Sequence, residues 1–310
     1  MAPKKRALVL GCGGVAGGAW TVAAMSEIQK QLGWQLHEAD YFIGTSVGAV
    51  LVTLLSQGIT VGQLLACQQG TSNHCHWNHE VDSGGTYPPL PKLRLNGANL
   101  LRLGLRGKVS ALTAVMGAFP QGQADMSGFI RLVDSVVPKG EWSKHPNTWL
   151  MAVEAESGER VALGRDITDM PMSQAVCASY AVPSWCPPVK WHRHTYLDGG
   201  IASPTSADFL LNTDVEEVVV IAPMASRDLD NPLHPFSRIE RRVRKYMTQI
   251  VVNEVAALRQ AGKRVLRIEP SAEDLAAFGF NLMDPKNREQ VLNTAIATSP
   301  TVVERALAEF

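Results

Sequence analysis

A short apolar run that enters a Gly-x-Ser-x-Gly turn most constrains the fold of this chain. The run is Tyr41–Ile43, the turn is Gly44-Thr45-Ser46-Val47-Gly48, and a nearly all-apolar stretch continues to Ser56. The run has the composition of a buried strand, and the stretch after the turn is typical of a buried helix. Glycines on both sides of a serine permit a strained turn and leave its hydroxyl uncovered. The pattern therefore predicts a nucleophile elbow, built on Gly44 and Gly48, that presents Ser46 at the end of a strand.

A second unit of this kind precedes the elbow. Residues 5–10 are an apolar strand candidate, the glycine-rich run 11–18 follows, and a helical pattern covers 19–32. Two such units predict an α/β fold with a parallel sheet and helices on both faces. Further strands are predicted at 149–154, 160–163, 195–197, 218–221 and 264–268, further helices at 172–180 and 236–261, and two C-terminal helices that start near Ser271 and Asp284.

The residues from about 70 to 128 interrupt this pattern. Pro88, Pro89 and Pro91 interrupt the segment, and no strand pattern is evident. Five cations lie among leucines between residues 92 and 108 without an acid. We interpret 70–128 as an inserted, partly helical cap on a single domain of residues 1–310, which ends in a helical segment at about 236–310. The basic, leucine-rich stretch 92–108 is typical of peripheral contact with a membrane surface. The cations around 238–245 are expected to form only a solvated helix face.

Charge and composition exclude several classes of protein. Lys plus Arg and Asp plus Glu are both 29, so there is no electrostatic case for a nucleic-acid partner. The five cysteines have no regular spacing, which predicts reduced thiols and a cytoplasmic protein. The apolar run after the basic N-terminus is shorter than the about seven residues of a signal peptide. No apolar stretch approaches the ~20 residues of a membrane span.

A serine nucleophile needs donors for an oxyanion and a base for its proton. Gly13 and Gly14 lie between a strand and a helix, where their N–H groups and the helix dipole favour a small anion. A nucleotide-binding loop or a plain tight turn remains an alternative for this glycine run.

The base is harder to find in the sequence. The last histidine, His234, lies in a predicted loop and does not complete the usual order of a Ser–acid–His triad. Asp198 ends a predicted strand and precedes Gly199 and Gly200, so its carboxylate is the candidate base. An Asp-Gly-Gly sequence is also a common turn.

Three motifs occur in order, each after a predicted strand: Gly13-Gly14-x-x-Gly17, Gly44-x-Ser46-x-Gly48 and Asp198-Gly199-Gly200. The approach to the aspartate carries Ala178-Ser179-x-Ala181-x-Pro183 and Pro187-Pro188-Val189. This constellation resembles the patatin-like phospholipase family over about residues 6–222. The resemblance implies a three-layer α/β/α fold with a mostly parallel sheet, and calcium-independent cleavage of lipid acyl esters without a cofactor. It also implies Ser46 as nucleophile, Asp198 as base, the amides around Gly13 and Gly14 as oxyanion hole, and Gly199 and Gly200 as supporting residues.

The sequence departs from the family pattern at Ala16, where an Arg or Lys is usual, and at Cys12, where a glycine is common. The missing cation weakens the case for a phosphate-bearing substrate and leaves phospholipid, lysophospholipid and neutral lipid ester as alternatives. Acyl transfer to an alcohol or thiol stays open. A nucleotide-binding module is disfavoured because its acidic residue at the end of the second strand is missing. An inactive lipid-binding scaffold is disfavoured because every catalytic part is present.

Three weaker features concern histidines and cysteines. Residues 74–79 hold three histidines and a cysteine, but their spacing fits no metal pattern, and we predict no metal. His192 and His194 are predicted to share one face of a strand. Cys177 and Cys186 are predicted to be buried free thiols.

Overall fold

The computed structural model describes residues 4–72, 77–79, 82, 87, 89–95 and 97–310. The strands in these residues are β1 (Arg6–Leu10), β2 (Tyr41–Thr45), β3 (Lys92–Leu95), β4 (Pro120–Gln121), β5 (Thr148–Glu154), β6 (Arg160–Leu163), β7 (Val189–Trp191), β8 (His194–Asp198), β9 (Glu217–Ile221) and β10 (Arg264–Ile268). The helices are α1 (Gly14–Leu32), α2 (Val47–Ser56), α3 (Val61–Gln68), α4 (Ala98–Leu105), α5 (Ala111–Gly117), α6 (Ser127–Asp134), α7 (Met172–Ser179), α8 (Pro235–Gln260), α9 (Ala272–Phe278) and α10 (Arg288–Leu307). Short 3₁₀ turns lie at Leu36–Glu38, Gly199–Ile201, Ala207–Leu210 and Pro285–Asn287.

Eight strands form one mixed sheet in the order β10-β9-β1-β2-β5-β8-β7, with β6 also paired to β5. The five strands from β10 to β5 are parallel, whereas β6, β7 and β8 join in antiparallel pairs. Side chains alternate across each strand, so Leu8 and Leu10 of β1 pack with α1, α2 and α10, and Ala7 and Val9 pack with α8. The predicted three-layer α/β/α architecture with a mostly parallel sheet is confirmed.

Two strands approach each other along one edge of β5. Strand β2 pairs with residues 148–151 of β5, and β8 pairs with residues 152–154 from the opposite direction. Strand β6 pairs with residues 150–153 and therefore covers the other edge of β5. The carboxyl ends of β2 and β8 consequently meet, with Thr45 opposite Met151 and Asp198 opposite the next residue, Ala152.

Several expectations were wrong in detail. Helix α1 begins at Gly14 rather than at residue 19, because the glycine run itself forms the first helical turns. His192 lies at φ 51° in the turn between β7 and β8, so it does not share a strand face with His194. The segment 70–128 holds α4 and α5, but it also holds the β3–β4 pair where no strand was expected.

Four of the five cysteines lie within the described residues. Cys12, Cys67, Cys177 and Cys186 are free, and all except Cys67 are buried. Most of the histidine–cysteine cluster, residues 74–76, lies outside the described residues. In the part of the chain that is described, no helix has the length and apolar character needed to cross a bilayer.

The elbow glycines are required by close packing. A Cβ atom on Gly48 would lie 2.0 Å from the carbonyl oxygen of Leu10, and one on Gly44 would lie 2.5 Å from the carbonyl oxygen of Gly48. Neither glycine has a positive φ; in this turn the left-handed residue is Ser46, at φ 58°. The glycines therefore let α2 pack directly against the ends of β1 and β2, a reason that differs from the expected turn strain.

Gly48→Ala is expected to lower the free energy of unfolding by about 3 kcal/mol or more, because the new methyl group has no space beside Leu10. Gly62→Ala in α3 is the matched control, since the nearest atom to its added Cβ is 4.0 Å away. That change is expected to be neutral or to stabilise by up to about 1 kcal/mol. Urea denaturation of both variants checks this, and equal stabilities would contradict the packing argument.

Candidate active site

Ser46 lies in a strained turn that a second serine holds in place. It joins β2 to α2 at φ 58° and is 2% exposed. Its N–H donates to Oγ of Ser179 at 2.9 Å, and the Ser179 hydroxyl donates to the carbonyl oxygen of Met151 at 2.7 Å. A left-handed conformation in a residue other than glycine persists only where its surroundings hold it. The last residue of α7 therefore ties the elbow to β5.

Asp198 is held by the same segment of chain. Its N–H donates to the carbonyl oxygen of Ala181 at 3.1 Å, and its Oδ1 accepts from the N–H of Gly200 at 2.6 Å. A Cβ on Gly199 would lie 2.6 Å from the carbonyl oxygen of Met151. Two positions of the Ser179-x-Ala181 sequence thus support the backbones of both Ser46 and Asp198, and Gly199 permits their close approach.

Burial sets the protonation of Asp198. The side chain is 4% exposed, and burial raises its pKa from 3.8 to about 7, against the opposing effects of the Ser46 side chain and the Gly200 N–H. The Ser46 side chain is close enough to lower the pKa of Asp198. Among the described residues, however, no group forms a hydrogen bond of regular geometry with Oδ2 of Asp198. A carboxylate with a pKa near neutrality is a much stronger base than an exposed aspartate.

The glycine loop contains two N–H donors that are not used in backbone pairing. The N–H groups of Gly11 and Cys12 donate to backbone carbonyls at 2.9 Å, whereas those of Gly13 and Gly14 have no acceptor within the described ranges. Gly14 starts α1 at φ 61°, and a Cβ there would lie 2.7 Å from the carbonyl oxygen of Leu282. Side chains are excluded at this point, and the positive end of α1 adds to the attraction for an anion.

These four groups line one cavity of about 180 Å³. The predicted residues Ser46, Asp198, Gly13 and Gly14 all border it, and Gly200 does too. Gly44, Gly48 and Gly199 do not line the cavity. They permit the close backbone packing that supports its wall. The remaining lining is Cys12, Met116, Val182, Pro183, Ile201, Met224, Met247, Leu282 and Met283. A serine hydroxyl, a buried carboxyl group and two N–H donors thus surround a space suited to an apolar group.

Sequence reasoning missed two kinds of residue at this site. Ser179 belonged to a quoted motif, but its hydrogen bond to the elbow gave no separate signal. The methionines from α5, α8 and two loops carry no pattern that distinguishes a cavity wall from ordinary core. Their flexible thioethers adapt to apolar ligands of varied shape.

One group of side chains in the described ranges has ligand atoms close enough for a metal, namely Glu154, Glu156 and His194. Nδ1 of His194 already pairs with Glu154, and Glu156 accepts from the N–H of Thr195 at 3.0 Å. Nε of Arg193 lies 3.4 Å from Nε2 of His194, which adds a positive charge beside the group. Local ion pairs and hydrogen bonds account for this cluster.

Ser179→Ala is expected to remove the acceptor of the Ser46 N–H and the hydroxyl donor to the Met151 carbonyl oxygen. The unpaired groups should lower the free energy of unfolding by about 1–3 kcal/mol and slow the labelling of Ser46 by a fluorophosphonate. Ser173→Ala, in the same helix, is the control, because in the described structure the Ser173 hydroxyl is buried but does not bond to the elbow. Equal labelling rates for the two variants would contradict the support role.

Asp198→Asn tests the energetic cost of the buried acid. Since the folded-state pKa is raised, the folded protein binds more protons than the unfolded chain between about pH 4 and 7, and stability falls as pH rises through this range. At about pH 8, the free energy of unfolding of the Asp198→Asn variant should exceed that of the wild type by up to about 4 kcal/mol. Below about pH 4, the two proteins should be equally stable. Denaturant titrations across this range check it, and a pH-independent difference would count against it.

Comparison with known proteins places the chain in a family. A search of curated protein sequences found no match. Among solved structures, VipD from Legionella pneumophila aligns with a TM-score of 0.44 and 11% sequence identity, covering 98% of this chain and 68% of that chain. The family model described as Patatin-like phospholipase matches residues 8–211, more than half of the chain. That range contains the elbow, the glycine loop and Asp198, and the chain therefore belongs to the patatin-like phospholipase family, as a lipid acyl hydrolase.

Proposed function

We propose that this protein hydrolyses carboxylic ester bonds of lipids through a Ser46–Asp198 dyad and an acyl-enzyme intermediate. The observation that carries the proposal is the buried Asp198 carboxyl, with a pKa of about 7, in the same cavity as Ser46. A glycine loop for nucleotides is a poorer explanation, because no lysine or arginine lines this cavity among the described residues.

The proposed reaction begins when Asp198 accepts the hydroxyl proton of Ser46 as Oγ attacks the ester carbonyl carbon. The N–H groups of Gly13 and Gly14 stabilise the oxyanion that forms. The tetrahedral intermediate collapses, the C–O bond to the alcohol breaks, and Asp198 returns the proton to the leaving oxygen. Water then attacks the acyl-enzyme, Asp198 accepts its proton, and Ser46 is released. Because backbone amides supply the oxyanion donors, we propose a reaction that requires neither calcium nor a cofactor.

The cavity supports recognition of the acyl part of a substrate. Its side chains are mostly apolar, and Ala16, which stands where relatives carry a cation, is fully buried. A further apolar cavity of about 70 Å³ is lined by Val15, Val47 and Tyr180, the residues directly after Gly14, Ser46 and Ser179. We propose that the acyl chain occupies this apolar region while the headgroup stays outside, so phospholipid, lysophospholipid and neutral ester are all candidate substrates.

We propose that the segment 70–128 caps the cavity and that its stretch 92–108 touches membrane lipid. Thr113 donates to the carbonyl oxygen of Ile201 at 2.9 Å, and Met116 from the same helix lines the cavity. All four residues of β3 are exposed, and the side chain of Leu105 is 90% exposed. Exposed leucines among cations favour contact with an anionic lipid surface.

Ser46→Ala and Asp198→Ala are each expected to reduce ester hydrolysis by at least about 10⁴-fold, because nucleophile and base act as one unit. In the wild type, kcat/KM should fall about tenfold per pH unit below the pKa of Asp198, where the base is protonated. A panel of esters, lysophospholipids and phospholipids with product analysis measures this, and Ser173→Ala is the control. Substantial turnover by Ser46→Ala or Asp198→Ala would contradict the proposed dyad. Transfer of the acyl group to an added alcohol in preference to water would indicate a transferase.

Reversal of the charges at Arg94, Arg102 and Arg106 to glutamate is expected to weaken binding to vesicles that contain phosphatidylserine, because each cation contributes about 1 kcal/mol near such a surface. Sedimentation with vesicles of phosphatidylcholine, with and without phosphatidylserine, measures the change. Unaltered binding by this variant would exclude the stretch 92–108 as a contact.

A further inference from the structure

The first half of α8 carries two exposed stripes beside its buried face. The buried face includes Arg241, Arg244 and Met247. The first exposed stripe is basic and consists of Arg238, Arg242 and Lys245. The second is apolar and consists of Phe236, Ile239 and Tyr246, which are 63%, 55% and 42% exposed. The basic residues are spaced by four and three positions and the apolar residues by three and seven, so each set lies on one side of the helix.

The basic stripe is not neutralised locally. Glu240 is the sole acid between residues 235 and 247. It pairs with the buried guanidinium groups of Arg241 and Arg244, the latter at 2.7 Å. Arg238, Arg242 and Lys245 form no ion pair within the described structure, so their charges face solvent. This half of α8 therefore presents net positive charge next to apolar side chains.

An aromatic cluster extends the apolar stripe. The ring of Phe280 stacks on His234 at a centroid distance of 5.3 Å and lies 5.9 Å from the ring of Phe236. Phe280 is 54% exposed, and the neighbouring Leu233 is 91% exposed. We call Leu233, Phe236, Ile239, Tyr246 and Phe280 the α8 surface.

The α8 surface lies beside the mouth of the catalytic cavity. Helix α8 has 26 residues and is about 39 Å long, whereas a strand of five residues such as β9 spans about 17 Å. The helix returns from the carboxyl edge of the sheet to the start of β10, and Met247, near its middle, lines the cavity. Residues before Met247 therefore project beyond the edge where Ser46 lies.

The loop after α9 joins the surface to the cavity directly. Phe280 lies on the α8 surface, while Leu282 and Met283 line the cavity. The carbonyl oxygen of Leu282 also accepts from the N–H of Ala16, in the first turn of α1, at 3.0 Å. One short loop thus connects the exposed α8 surface to the wall of the cavity and to the start of α1.

We propose that the α8 surface docks on a bilayer containing anionic lipid and turns the catalytic cavity toward that bilayer. The inference rests on the proposed lipid hydrolase function. It departs from our expectation that the cations at 238–245 form only a solvated face, an expectation that the burial of Arg241 and Arg244 already contradicts for those two residues. Aromatic and aliphatic side chains enter the headgroup region, and flanking cations pair with anionic headgroups. A second copy of the chain is a poorer partner, because it would bring two basic stripes together.

The test uses the Ser46→Ala protein, so that binding is measured without turnover. Its affinity for vesicles of phosphatidylcholine with phosphatidylserine is compared with that of a variant carrying Arg238→Gln, Arg242→Gln and Lys245→Gln. Loss of three cations near an anionic surface should weaken binding by about 100-fold and reduce its salt dependence. The matched control carries Lys30→Gln, Lys139→Gln and Lys144→Gln, exposed cations at the end of α1 and before β5, on the side where the parallel strands begin.

A second variant, Phe236→Ser with Phe280→Ser, tests the apolar part and should weaken binding by about tenfold or more. Both variants carry exposed substitutions and, with Ser46 restored, should hydrolyse a soluble short-chain ester as the wild type does. Equal vesicle binding by the basic-stripe variant and the lysine control would overturn the proposal. If the Ser46→Ala protein is a dimer and the added Phe236→Ser and Phe280→Ser substitutions make it a monomer, the α8 surface serves self-association and the proposal is overturned. Absence of ester hydrolysis in the wild type would instead refute the proposed function. The vesicle assay measures binding alone, so its outcome does not depend on that activity.

Discussion

The arrangement of this site depends on one edge of β5, where two strands meet from opposite directions. Strand β2 occupies the first half of that edge and β8 the second, so Thr45 and Asp198 lie opposite adjacent residues of β5. Ser179 then connects the N–H of Ser46 to the carbonyl oxygen of Met151 on the same strand. The distance between the candidate nucleophile and base is therefore set by backbone pairing, which varies little, rather than by long side chains.

That arrangement stores free energy at the site. Ser46 holds a left-handed conformation, and Asp198 is buried with one carboxylate oxygen unpaired in the described structure. Each feature costs free energy that the core around β1, β2 and β5 offsets. The unsatisfied oxygen is also the group with capacity to accept a proton, so the same feature that lowers stability provides the proposed chemistry.

The C-terminal third of the chain covers the sheet and also forms part of the wall of the candidate catalytic cavity. Met247 of α8 and the loop residues Leu282 and Met283 complete the cavity wall, and the carbonyl oxygen of Leu282 holds the N–H of Ala16 beside the glycine loop. The matched family range ends at residue 211, before these segments. Substrate selection in this protein is therefore expected to depend on residues that lie outside the family motifs.

The sequence alone determined the fold class, the elbow and the order of the three motifs, because those features rest on local patterns of apolar residues and glycines. It also indicated Ser46, Asp198, Gly13 and Gly14, although Asp198 was chosen largely by the resemblance to a family. Tertiary structure decided the rest. The antiparallel approach of β8, the support by Ser179 and the raised pKa of Asp198 arise from contacts between residues more than 25 positions apart. The exposed stripe of α8 was equally hidden, since its periodicity is that of any amphipathic helix and only the packed fold shows which apolar side remains uncovered.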